Sequence, residues 1–199
     1  MYNTKYIISF SSSERIKSIY ATLQVINKFF SKNKLESVIM IIGIVGRLIP
    51  HVPNTTPITS LSLVIGISLS HRMALLHLFA ILFISDVGLS LLYGYPVFSY
   101  WTLFTYTGFM TITLASSRLI NTRASFPIYI IIATLYFWIW TNFGVWLTSG
   151  IYCKNLTGIM FCYISALPFL SNSLIGDMIW GLVIFGLIKN KVILCQRTI

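Results

Sequence analysis

The chain has 199 residues, of which 56% are hydrophobic and only 9% charged, with a mean hydropathy of +0.83. Soluble domains carry roughly 25% charged residues, so four acids and fourteen bases exclude an ordinary water-soluble fold and point to one membrane domain. The formal charge of +10 does not mark a nucleic-acid partner, because the bases cluster at the ends of apolar segments rather than between aromatic platforms.

Residues 1–36 differ from the rest. They hold six of the fourteen bases (Lys5, Arg15, Lys17, Lys28, Lys32 and Lys34). Ser11 and Glu14 have capping-box spacing, and Ile16, Ile19, Tyr20, Leu23, Ile26 and Phe30 recur at helical intervals. The pattern predicts a basic amphipathic helix on the inner membrane face. A loosely ordered basic tail is the alternative, because short isolated helices are marginal. No apolar core followed by a small-residue cleavage site occurs here, so the segment is not read as a secretory signal.

Six apolar segments follow, at 38–49, 57–69, 73–93, 97–117, 126–148 and 173–188, giving a membrane domain over 37–189 and a cytoplasmic tail over 190–199. A full span takes about 20 residues. The first two segments are short, and are expected to form a tight helical hairpin whose loop dips into the membrane. The apolar stretch 156–170, ending near Pro168, reads as a short interfacial or re-entrant helix.

With six spans, the tail bases, Arg72, Arg118, Arg123, Lys189, Lys191 and Arg197 fall on one side, twelve in all, leaving only Arg47 and Lys154 for the other. The positive-inside rule then places both termini in the cytoplasm. Tyr93, Tyr95, Tyr100 and Trp101 flank one outer turn, and Trp138, Trp140, Trp146 and Tyr152 crowd the outer end of the fifth span. They fit an interfacial aromatic belt or, alternatively, a ligand pocket.

Two outer stretches carry the candidate site. The first, RLIPHVPNTTPIT over 47–59, sets Arg47, His51, Asn54 and Thr56 among three prolines that stiffen the backbone. It reads either as a ligand cap or as a rigid connector. The second, over 142–177, contributes Asn142, Trp146, Tyr152, Asn172 and Asp177. Polar, glycine-bearing backbone at membrane depth must be satisfied by protein or by a water-filled cavity. Asp86 and Asp177 lie within spans, where a carboxylate is a functional candidate with a basic partner expected. Arg47 is one such partner for Asp177, since both fall near the outer face. A structural ion pair is the alternative.

Other chemistries are missing from the pattern. His51, His71 and His77 have no H-E-x-x-H spacing, the three cysteines form no metal pair or disulfide framework, and no phosphate-binding loop or nucleophile elbow occurs. No catalytic residue, metal or cofactor is therefore assigned, and the chain is not read as an enzyme. Ser62, Gly66 and Ser70 form a small-xxx-small packing face on the second segment, and Gly43 and Gly46 form a similar one on the first.

Together RLIPHVPNTTPI, the Ser85–Asp86 pair and TNFGVWL…LTG…CYISALPF…N…GD resemble a group of small bacterial membrane proteins. These are similar to the substrate-binding S-components of energy-coupling-factor vitamin transporters, and most of all to the solitary cobalamin-binding ones. The resemblance covers residues 40–188. It implies six helices, cytoplasmic termini, an outer pocket built from the first, third and fifth outer loops, and an energising transporter module as partner. The chain departs from the pattern at Val52, Thr55 and Cys153, and His77 is the only candidate cobalt ligand in the third span.

The expectation is thus an all-α membrane protein: a six-helix transmembrane bundle, S-component-like, with a basic amphipathic N-terminal segment, in the bacterial inner (plasma) membrane. It would capture a small vitamin-like solute, cobalamin-related by resemblance, at the outer face for uptake, with membrane lipids as its other partner. A non-transporting structural or assembly subunit of a membrane complex is the rival reading.

Overall fold

The structure, a computed structural model, describes residues 34–50, 52–119 and 126–196. The basic tail up to residue 33, His51, Arg123 and Arg197 lie outside the described residues. The chain divides into two units after Val38, and the packing below is that of the second, Ile39–Ile199.

Seven helices and no strand occur among the described residues: α1 Lys34–Leu48, α2 Ile58–Ser68, α3 His71–Tyr93, α4 Tyr100–Leu119, α5 Phe126–Thr148, α6 Leu156–Ser165 and α7 Leu167–Gln196. Their ends follow local chemistry. Helix α3 stops at Gly94, whose φ of 72° closes the helix in the left-handed conformation that glycine adopts without steric cost. The Asn155 side chain caps α6 by accepting from the Gly158 amide at 2.8 Å. Pro168 does not end the stretch before it. It lies in the first turn of α7, where its missing N–H removes no helical bond, so the last helix starts earlier than the apolar pattern suggests.

Helix α2 is the centre of the bundle. Nine of its eleven residues are buried, and it packs against α3, α4, α5 and α7. A helix of small and apolar residues without a charged face offers little to water, so enclosure by its neighbours is the stable arrangement. This is why a segment too short to cross a membrane is nevertheless helical. Gly66 makes the closest of its contacts: a Cβ there would collide with Ser116 Oγ and the Thr113 carbonyl oxygen of α4. The small-residue face of α2 is thereby spent on close approach to α4.

Helices α1 to α5 run alternately up and down, and α6 and α7 both run against α5. Helix α1 lies antiparallel to α2, with Gly46 against Pro57, and parallel to α3, with Gly43 at Ile81 and Leu48 at Gly88. The α5–α7 pair is antiparallel, zipped by the stacked rings of Phe126 and Phe185 (4.4 Å between centroids) and by Ile130 against Gly181. Helix α6 folds back on the end of α5, where Tyr163 Oη donates to the Ile139 carbonyl at 2.8 Å and Trp138 Nε1 donates to the Ala166 carbonyl at 3.0 Å.

Three helices, His71–Tyr93, Phe126–Thr148 and the Leu167–Leu187 part of α7, are long and apolar enough to cross a membrane, yet only 22 to 28% of their apolar windows is buried. Leu76, Ile84, Ile132, Ile139 and Ile179 all face outward. Apolar surface on this scale is incompatible with water and suits lipid. The protein is a membrane protein.

Candidate functional site

At one end of the bundle, the C-terminus of α1, the C-terminal half of α3 and the start of α4 come together around an ion pair. Arg47 Nη2 lies 2.7 Å from Asp86 Oδ1, with both side chains only 15% exposed. The second guanidinium nitrogen, Nη1, donates to Ser85 Oγ at 2.7 Å and to the Leu82 carbonyl at 3.3 Å. On the other side of the carboxylate, Tyr106 Oη donates to Asp86 Oδ2 at 2.8 Å. Each ion thus has a counter-ion and further hydrogen bonds, the condition under which a buried pair is tolerated.

Two adjoining cavities open beside this pair. The larger, about 590 Å³, has Pro50, Pro53, Asn54 and Thr56 of the first loop on one side and Tyr93 and Tyr95 on another. Thr105 and Phe109 of α4 and Phe137 and Thr141 of α5 complete it. The smaller, about 180 Å³, is lined by Asp86, Pro96, Trp101, Thr102 and Tyr106. Arg47, Leu89, Tyr95 and Thr105 line both. Small-molecule sites have this composition, apolar and aromatic walls with a few placed polar groups, and volumes of roughly 300–1,000 Å³.

The first loop is held in shape by its own sequence. Thr55 N and Thr55 Oγ1 both donate to the Val52 carbonyl, at 3.2 and 2.6 Å, and Asn54 takes a φ of 65°. Proline followed by a residue at positive φ is the sequence of a type II turn, and asparagine is among the few side chains that accept that conformation. Trp180 Nε1 then pins the loop to α7 by donating to the Thr55 carbonyl at 2.9 Å.

Of the ten residues singled out from the sequence, Arg47, Asn54, Thr56 and Asp86 are brought together around these cavities, and His51 lies outside the described residues. The others sit elsewhere. Asn142 Nδ2 donates to the Trp138 carbonyl at 2.8 Å within its own helix. Trp146 Nε1 donates to the Cys153 carbonyl at 3.0 Å, with the Lys154 ammonium 5.4 Å above its ring. Tyr152 is in the turn after α5, and Asn172 is half-buried on α7. The second cavity wall expected from Asn142, Trp146 and Tyr152 is supplied instead by the α3–α4 turn and α5, because α6 folds back and occupies the end of α5.

Arg47 pairs with Asp86 and not with Asp177. Asp177 is buried and joins three helices: Thr134 Oγ1 of α5 donates to its Oδ2 at 2.7 Å, and Ser60 Oγ of α2 donates to its backbone carbonyl at 2.8 Å. It is a structural junction. Tyr106, Thr105 and Thr141 were not singled out from the sequence. Nothing in their spacing marks them, since Asp86 and Tyr106 meet only because α3 and α4 turn back on each other.

No curated protein and no solved structure matches the chain. Residues 27–193 match a family of unknown function, DUF6580, and the chain belongs to that family.

Proposed function

We propose that this protein captures a small, vitamin-like solute at the outer face of a bacterial plasma membrane, as an S-component-like bundle of six spans with both termini in the cytoplasm. The observation that carries the reading is the 590 Å³ cavity, walled by a stiffened loop and aromatic rings beside a nearly dry ion pair. A scaffold subunit gains nothing from space of that size where loops and helix ends could close by packing.

The orientation rests on charge. Arg72 and Arg118 stand at the end of the bundle away from the cavity, at the start of α3 and the end of α4, together with most of the other bases by sequence. Arg47 and Lys154 belong to the cavity end. Excess Lys and Arg marks the cytoplasmic side, which turns the cavity outward. A reporter fused after Ile199 should be active only in its cytoplasmic form, and activity on the outer side would reverse the orientation.

Uptake would use tilting of the bundle with an energising module. Mass spectrometry of small molecules extracted from protein purified in mild detergent tests the capture itself. One solute at near-stoichiometric yield is expected, whereas lipid and detergent alone would count against it.

A further inference from the structure

The floor of the smaller cavity is a closed ion pair whose Arg47 also lines the larger one, and this restricts what can bind where the two cavities meet. Arg47 and Asp86 are the only charged groups among the described lining residues, and at 2.7 Å they neutralise each other. A net anion would gain Arg47 but meet the Asp86 carboxylate, and a net cation would meet the reverse. Either would give up its hydration for a counter-charge already taken.

The pair still has unused hydrogen-bonding capacity. A guanidinium has five N–H donors, and three contacts from Nη1 and Nη2 engage Ser85, Leu82 and Asp86. Each Asp86 oxygen accepts one bond, from Arg47 and from Tyr106, and an ionised carboxylate has about four lone-pair sites. The site therefore offers charge-assisted donors beside charge-assisted acceptors without net charge. The wall of the larger cavity beyond Arg47 is aromatic: Tyr93 and Tyr95 are 6.1 Å apart and tilted by 38°, and Phe109 and Phe137 are stacked on each other at 4.0 Å. Such rings favour a flat aromatic or conjugated guest.

Building on the solute-capture reading, we infer that the ligand is an uncharged, planar molecule whose polar edge carries an acceptor next to a donor, as in a carboxamide, lactam or ureide. The acceptor side meets Arg47, the donor side meets Asp86, and the flat remainder lies among the tyrosine and phenylalanine rings.

Equilibrium dialysis of the full chain in mild detergent against three matched probes tests this: 2-naphthamide, 2-naphthoate and 2-naphthylmethylammonium. Uptake by the cavity-filling variant Thr105→Trp serves as the background for partition into micelles. The amide is expected to bind about ten-fold more tightly than either ion. In Asp86→Asn, which leaves the Arg47 charge uncompensated, preference should pass to the naphthoate. Preference of the wild-type protein for either ion, or equal binding of all three, would overturn the inference and leave solute capture standing. Binding of no probe above the Thr105→Trp background would overturn both. Should Asp86→Asn fail to fold, the ranking on the wild-type protein decides alone.

Discussion

Arg47 and Asp86 sit 2.7 Å apart on the neighbouring helices α1 and α3, and Tyr106 ties the same carboxylate to α4 at 2.8 Å. One carboxylate thus fixes three helices at the end of the bundle where the cavities lie. A charge at that depth is costly unless it is matched, so the pair both holds the cavity floor and depends on the helices that bury it.

That dependence predicts a large non-additivity. Removing one partner leaves a mostly buried charge unmatched, at a cost of about 3–5 kcal/mol. Arg47→Met and Asp86→Leu should each lower the thermal midpoint in detergent sharply. The double variant should recover much of the loss, because an apolar pair of similar volume carries no stranded charge. A double variant as unstable as the two losses added together would show that the pair contributes little as a pair.

Packing at α2 gives a second expectation. Gly66→Ala places a methyl against the Thr113 carbonyl and Ser116 Oγ, where backbone blocks relaxation, and overpacking costs typically 1–3 kcal/mol. At Gly186 nothing lies within 4 Å of an added Cβ, so Gly186→Ala should be neutral or slightly stabilising through helix propensity. Thermal unfolding of the two variants side by side checks this, and equal behaviour would contradict the close α2–α4 approach.

Asp177 should matter for folding more than for capture. Asp177→Leu removes the carboxyl acceptor that ties Thr134 of α5 to α7 and leaves that hydroxyl only the Ile130 carbonyl of its own helix, a loss of roughly 1–3 kcal/mol. Lys154→Gln changes only an exposed residue that contacts Trp146 and should be near neutral. Comparing yield of monodisperse protein and melting midpoint separates the two. A stable Asp177→Leu protein would remove the junction role.

Much of this arrangement is legible in the sequence where local chemistry decides it. The Pro53–Asn54 dipeptide encodes the turn that shapes the first loop, and Asn155 and Gly94 mark helix ends. Hydropathy alone marks α3 and α5, and Ser62 and Gly66 announce a close helix contact. Which acid meets which base is different in kind. By depth in the sequence Arg47 matches Asp177, since both fall near the outer face, and only the parallel packing of α1 on α3 brings it to Asp86 instead. The fifth-loop residues are misread for a related reason. Trp146 and Asn142 have the composition of a pocket wall, but the Asn142 side chain bonds the Trp138 carbonyl of its own helix and Trp146 is engaged by Cys153 and Lys154 of the turn that follows, contacts that composition does not announce. Pro168 likewise signals a break without saying whether a helix ends or begins there.

The measurement that bears most directly on the central claim is labelling of the cavity from outside. In a background lacking Cys153, Cys162 and Cys195, Asn54→Cys on the first loop and Thr141→Cys on α5 each place one thiol in the wall of the larger cavity. A membrane-impermeant maleimide added to intact cells should modify both. Solute recovered from the purified wild-type protein should slow both reactions, since the two positions face the same space across the bundle. Modification only after the cells are permeabilised, or protection of neither thiol by any recovered solute, would contradict an outward cavity that captures a small molecule.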